Sequence, residues 1–182
     1  YYCKKLKKLP KINTSSAKDM SYMFSSCFLY LSEIPQIITS NVTTMKSMFN
    51  GCLNLTSIPQ FDTSNVVDIE SMFSGCIKLR KVPPLHAEKV SSNSMFGFDT
   101  MTELTDFGGL INLKVNFNGL YAFNKCPNLS YQSCINILNG LYDFRSNGDT
   151  STTRTLKVHQ NFLNLVGDEV SIGTNKGWVI TT

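Results

Sequence analysis

Apolar residues in this chain recur at two alternating spacings. Val42, Met45, Met48 and Phe49 fall at i, i+3, i+6 and i+7, and so do Val66, Ile69, Met72 and Phe73, and Ala17, Met20, Met23 and Phe24. That spacing predicts a short helix with one buried face in each stretch. Ser40-Asn41 and Ser64-Asn65 stand just ahead, where side-chain oxygens would cap free helical N–H groups. Gly51 and Gly75 follow, where a helix can end in a left-handed residue at no steric cost. Leu55 to Ile58 is too short for a helix and is stopped by Pro59, so it predicts a very short strand.

The pattern is a repeat. Ser47-Met48-Phe49-Asn50-Gly51-Cys52 returns as Ser71-Met72-Phe73-Ser74-Gly75-Cys76, and appears earlier as Tyr22-Met23-Phe24-Ser25-Ser26-Cys27. A worn copy reads Ser94-Met95-Phe96-Gly97-Phe98. A second signature follows each Cys: Cys52, Leu55, Ile58, Pro59, then Cys76, Leu79, Val82, Pro83. Cys3, Leu6, Leu9 and Pro10 keep this spacing, and Cys27, Leu31, Ile34 and Pro35 carry one extra residue. One strand and one short helix cannot bury their apolar faces alone, so the repeats must stack. The expected fold is an α/β right-handed solenoid, with short parallel strands on one face and short helices on the other. Cys3, Cys27, Cys52 and Cys76, with Phe24, Phe49, Phe73 and Phe96, form its expected internal ladder.

Residues 99–182 continue the scheme in a degenerate form, with longer helices closing the same domain that residues 1–98 build from regular repeats. Leu104 to Phe107 predicts a strand, with Met101 where Cys stood before, and Gly108-Gly109 makes a turn. Leu113 to Phe117 alternates as a strand does. Tyr131, Cys134, Ile135, Leu138, Leu141 and Tyr142 mark a longer helix with Ser130 as its N-cap. Arg145 to Thr153 is a polar loop and Thr155 to His159 a strand. A helix from Asp168 to Lys176, stopped by Gly177, precedes a last strand at Trp178 to Ile180.

Composition adds restraint. Charged residues are 16% of the chain, against roughly 25% in an average domain, while Ser, Thr and Asn number 53. A net charge of +4 is too weak to point to nucleic acid, and no apolar run reaches the roughly 18 residues of a membrane span. Tyr1-Tyr2-Cys3-Lys4-Lys5 has neither an initiator Met nor the form of a signal peptide, as in a chain trimmed from a longer one. The cysteines lack the paired spacing of a zinc site. Stacked repeats would hold them either as a column of free thiols or near enough for a bridge between neighbours. No nucleophile elbow, phosphate loop or zinc-protease motif occurs, and His86 and His159 adjoin no Ser or Cys nucleophile. No catalytic residue, metal or cofactor is expected.

The run from Met48 to Val66, Met-Phe-Asn-Gly-Cys-Leu-Asn-Leu-Thr-Ser-Ile-Pro-Gln-Phe-Asp-Thr-Ser-Asn-Val, resembles the BspA-like (bacterial surface protein A-like) branch of the leucine-rich-repeat proteins. It is closest to an uncharacterised subfamily with Phe-Asp-Thr-Ser-Asn-Val and Met-x-x-Met-Phe repeats. The resemblance implies a leucine-rich-repeat-type solenoid that is extracellular or on a bacterial cell surface, with a non-catalytic protein- or glycan-binding or adhesion role. The stretch from Leu165 to Trp178 resembles the closing segment of bacterial and phage-encoded repeat proteins of this type, which leaves a structural or receptor-binding component encoded by a phage or prophage as the alternative. Repeat alignment places Lys7-Lys8, Ser32-Glu33, Thr56-Ser57 and Arg80-Lys81 at equivalent outward strand positions. They are the candidate binding residues, for a host or bacterial surface protein or glycan, with a plain solvated face as the alternative.

Overall fold

The computed structural model describes residues 10–27, 31–91, 97–114, 123–150 and 154–182. Cys3, Lys7, Lys8 and Phe96 lie outside the described residues, as do positions 115–117 of the strand expected after Leu113. Within them, each repeat lies parallel to the next. Asp19 bridges Thr44, Thr44 bridges Asp68, and Ser57 bridges Lys81. Strand β1 (Lys81–Val82) pairs with β3 (Asp106–Phe107), and β2 (Leu85–His86) with β4 (Leu110–Ile111). A Pro83-Pro84 corner separates β1 from β2 and stacks on the Gly108-Gly109 corner between β3 and β4. A Cβ at Gly108 would sit 2.3 Å from the Pro84 ring, so that corner requires glycine.

The short helices expected in the regular repeats are instead flights of turns. In the Met45 to Cys52 stretch, Met48 N–H, Asn50 N–H and Cys52 N–H close turns on Met45 O, Ser47 O and Phe49 O at 3.0–3.1 Å. The N–H groups between them leave the repeat: Met45 donates to Asp68 O, Ser47 to Glu70 O, Phe49 to Met72 O and Gly51 to Ser74 O, at 2.7–3.0 Å. A helix would consume every N–H internally and leave none for the neighbour. Left-handed residues at Ser47 (φ 52°) and Gly51 (φ 75°), matched at Ser71 (φ 54°) and Gly75 (φ 78°), break the helical path. Successive turns still bring Met45, Met48 and Phe49 inward, all fully buried, so the apolar spacing of a helix survives without the helix.

The expected caps serve the stack as well. Asn41 Nδ2 donates to Ser15 O of the preceding repeat (2.8 Å), and Asn65 Nδ2 to Ser40 O (2.9 Å). Buried Thr14, Thr39 and Thr63 form a second column that reaches forward: Thr14 Oγ1 donates to Ile38 O, Thr39 Oγ1 accepts from Asp62 N–H, and Thr63 Oγ1 donates to His86 O. These contacts give the many Ser, Thr and Asn residues a structural task.

A ladder of aromatic rings runs through the interior. Phe24, Phe49 and Phe73 stack with centroids 5.6 and 5.9 Å apart, Phe98 follows Phe73 at 5.8 Å, and Phe123 follows Phe98 at 4.8 Å. The fourth rung among the described residues is Phe98. Phe98 keeps the downstream spacing to Met101 and Leu104 that Phe73 keeps to Cys76 and Leu79. A fifth copy, Phe123, Cys126 and Leu129, keeps it too, so Cys126 belongs to the ladder rather than to the later core alone. Cys52 Sγ donates to Phe24 O, Cys76 Sγ to Phe49 O and Cys126 Sγ to Phe98 O, at 3.1–3.2 Å. Cys27, Cys52, Cys76, Cys126 and Cys134 are buried thiols outside any disulfide, the thiol-column alternative.

The remainder closes the stack. Helix α1 (Tyr131–Gly140) starts at Ser130, whose Oγ accepts from Ser133 N–H, as the sequence predicts. Lys176, expected to end its own helix, instead caps α1: its Nζ donates to Leu138 O, Asn139 O and Leu141 O at 3.2, 2.7 and 3.1 Å. Burial holds its pKa below the usual lysine value, against the pull of Asp143. Strand β5 (Arg154–Lys157) pairs in parallel with β6 (Trp178–Thr181), and Phe123 bridges Val158 just after β5. The single helix expected from Asp168 is a 3₁₀ turn (Gly167–Val170) followed by α3 (Ser171–Thr174). Helix α2 (Gln160–Val166), with Phe162 and Val166 buried, precedes them and was not anticipated.

Two outcomes follow from the ladder. Phe73→Ala should destabilise the fold by about 3–5 kcal/mol, measured by urea unfolding, because the cavity lies between two rings that cannot collapse onto each other. Burial pushes the Cys52 thiol up to about 12 and Cys134 to about 11, leaving almost no thiolate at neutral pH. Native protein should therefore alkylate slowly at its buried cysteines, and unfolding without reductant should expose all six thiols to iodoacetamide, counted by mass spectrometry.

Candidate binding face

Each regular repeat carries two outward residues between two inward ones. Leu31, Leu55, Leu79 and Leu104 point in on one side, Ile34, Ile58, Val82 and Phe107 on the other, all buried. Between them Ser32, Thr56, Arg80 and Thr105 form one column and Glu33, Ser57, Lys81 and Asp106 a second. Backbone bonds fix the register: Thr56 N–H donates to Ser32 O, Arg80 N–H to Thr56 O, Thr105 N–H to Arg80 O and Ser130 N–H to Thr105 O, at 2.9–3.2 Å. Neighbouring strands lie about 4.8 Å apart, so the columns are regularly spaced rows of side chains. The structure thus brings together Ser32, Glu33, Thr56, Ser57, Arg80 and Lys81, and the sequence-based list missed Glu103, Thr105 and Asp106.

Those missed residues change the electrostatics. Arg80 Nη2 and Nε lie 2.7 and 2.9 Å from Glu103 Oε2, and Lys81 Nζ lies 3.2 Å from Asp106 Oδ2. Lys78 Nζ donates to Asn54 Oδ1 at 2.9 Å. With side chains 62% and 68% exposed, Arg80 and Lys81 gain little stability from these pairs, on the order of 0–1 kcal/mol each. Their larger effect is to set a carboxylate beside each of these two cations, which offsets their charge locally.

At the α1 end this face becomes a groove of about 490 Å³, lined by Ser57, Lys81, Pro83, Asp106, Gln132 and Asn136 among others, over buried Ile58, Val82 and Phe107. Helix α1 stands where the next strand would run and answers β3 with side chains. Ser133 Oγ accepts from Phe107 N–H (2.8 Å) and donates to Thr105 O (2.9 Å), while Asn136 Nδ2 donates to Phe107 O (3.1 Å). Gln132 Nε2 donates to Asn136 Oδ1, one turn further along the same helix face (3.0 Å). No repeated motif announces Gln132 or Asn136, because α1 interrupts the repeat.

The two histidines have structural contacts. His86 Nδ1 lies 3.4 Å from Glu88 Oε2, and His159 Nδ1 accepts from Asn161 N–H at the start of α2 (3.1 Å). Among the described residues no cluster of three His, Cys, Asp or Glu side chains could hold a metal ion, and no helix is long and apolar enough to cross a membrane.

Parallel repeats on one shared internal ladder, with two outward columns above it, define a repeat protein with a polar outer face. The chain belongs to the family described as Mycoplasma protein of unknown function, DUF285, whose model matches residues 2–107, from the first repeat through β3. No curated protein and no solved structure matches it.

Ser133→Ala tests how α1 holds the groove. It removes the partner of the buried Phe107 N–H, so stability should fall by about 1–3 kcal/mol in urea, and amide exchange at Phe107 should quicken.

Proposed function

We propose that this chain is a non-catalytic recognition module: a BspA-like, leucine-rich-repeat-type right-handed solenoid, secreted or displayed on a bacterial cell surface, that binds a protein or glycan through its strand face. The observation that carries this reading is the pair of outward columns, Ser32, Thr56, Arg80, Thr105 and Glu33, Ser57, Lys81, Asp106, exposed except for the half-buried Ser57 and Thr105, above rungs buried on both sides. A face held this way loses little conformational entropy when a partner lands on it. The bacterial-surface assignment draws on the Met48 to Val66 resemblance. Because Arg80 and Lys81 are internally paired, the partner is not selected by negative charge.

The biotinylated chain should be measured against immobilised secreted and cell-surface proteins and oligosaccharides. Thr56→Trp, at the centre of the face, should weaken the affinity for the partner about tenfold or more, the loss of one or two well-placed contacts. Lys46→Ala, on the turn side, should leave it unchanged. A partner whose affinity is unaltered by Thr56→Trp and by joint reversal of Arg80 and Lys81 would remove the strand face from the binding surface.

A further inference from the structure

We propose that the groove between the strand columns and α1 binds an uncharged polyhydroxylated ligand, a neutral or N-acetylated glycan; this deepens the strand-face reading and rests on it. Three observations on the groove select that chemistry.

The first is how the strand backbone is used. Lys81 is bridged to Ser57 on one side and paired with Asp106 on the other, and β3 is answered in turn by Ser133 and Asn136. No strand edge faces the groove, so an extended peptide has no ladder to join. A ligand must be read by side chains.

The second is charge. The cation and the carboxylate in the groove, Lys81 and Asp106, pair with each other at 3.2 Å, and the neighbouring Arg80 with Glu103 at 2.7 Å. A sulfated, phosphorylated or acidic ligand would meet a carboxylate beside each of these cations, which offsets the attraction.

The third is what the groove still offers. Asp106 Oδ1 and Gln132 Oε1 accept, Lys81 Nζ has further N–H bonds to give, and Ser57 Oγ can do either. Donors and acceptors are therefore both present in the groove, whose lining also includes the largely buried Ile58, Val82 and Phe107. A sugar ring presents the complement: hydroxyls that both donate and accept around its edge, and C–H groups on its faces. The volume of about 490 Å³ is within the range of small-ligand sites and suits a short oligosaccharide segment.

The test is an array of neutral, acetamido-bearing and sulfated oligosaccharides probed with the fluorescently labelled chain. Alongside it run Ser57→Trp, which fills the groove, Gln132→Ala, which removes a groove acceptor, and Lys46→Ala as the turn-side control. The inference expects retention of neutral or acetamido-bearing chains, unaffected by added salt. Affinity should drop about tenfold or more in Ser57→Trp and severalfold in Gln132→Ala, and stay unchanged in Lys46→Ala. Urea midpoints matching the wild type establish that the variants are folded. Preference for sulfated chains that disappears with salt, equal binding by wild type and Ser57→Trp, or no glycan binding at all would each overturn the proposal. In the last case the broader reading still stands where a protein partner is lost in Thr56→Trp, so the two ideas fail separately.

Discussion

The constraint behind this fold is the destination of each backbone N–H. In the turn flights every second N–H leaves its own repeat and must meet a carbonyl of the next, as Ser47 meets Glu70 and Phe49 meets Met72. A buried donor left without that partner costs about 1–3 kcal/mol, so the two segments cannot slip past each other. Once the backbones are locked in register, like residues must stack on like. Phe24, Phe49, Phe73, Phe98 and Phe123 become one column of rings, and the sulfurs of Cys52, Cys76 and Cys126 each lie against a phenylalanine carbonyl of an earlier repeat. The sequence repeat is the record of that lock.

The same lock shapes the outer surface. A side chain on the strand face has its counterparts from the adjacent repeats as neighbours, so charge of one sign in a column would repel itself at about 4.8 Å. Arg80 and Lys81 are met instead by Glu103 and Asp106, and Lys46 on the turn side by Glu70 at 2.6 Å. Polar amides and hydroxyls stack without that difficulty. Asn65 reaches back to Ser40 while Lys89 reaches back to Asn65. Low charge and abundant Ser, Thr and Asn are thus the composition that a stack of identical positions favours.

How far the sequence could be read depended on which spacing carried the information. Separations of 24 or 25 residues between landmarks define which positions stack, and Thr56, Ser57, Arg80 and Lys81 fall in their expected columns. Spacing within a repeat was ambiguous: a helix and a run of turns both bring Met45, Met48 and Phe49 inward, and only the fate of the N–H groups separates them. Phe98, outside the Ser-Met-Phe string, keeps the distances to Met101 and Leu104 and stacks on Phe73. Helix α2 carries only two buried residues, Phe162 and Val166, too few to register as a period. Lys176 looked like the end of its own helix because its true partners, the carbonyls that end α1, are more than thirty residues away.

A perfectly periodic stack would offer the same shallow surface at every level and so could bind with little selectivity. Selectivity needs a place where the period breaks without exposing a strand edge. In the proposed reading that place is the junction of β3 with α1, where Ser133 and Asn136 supply with side chains the bonds that a further strand would have supplied with backbone. The substitution closes the edge and turns a helix wall against the columns, which converts a flat face into a groove. It also brings Gln132 and Asn136, residue types foreign to those positions in the repeats, beside Ser57, Lys81 and Asp106. The repeats supply rigidity and register; the interruption supplies the groove's polar side chains that the columns do not.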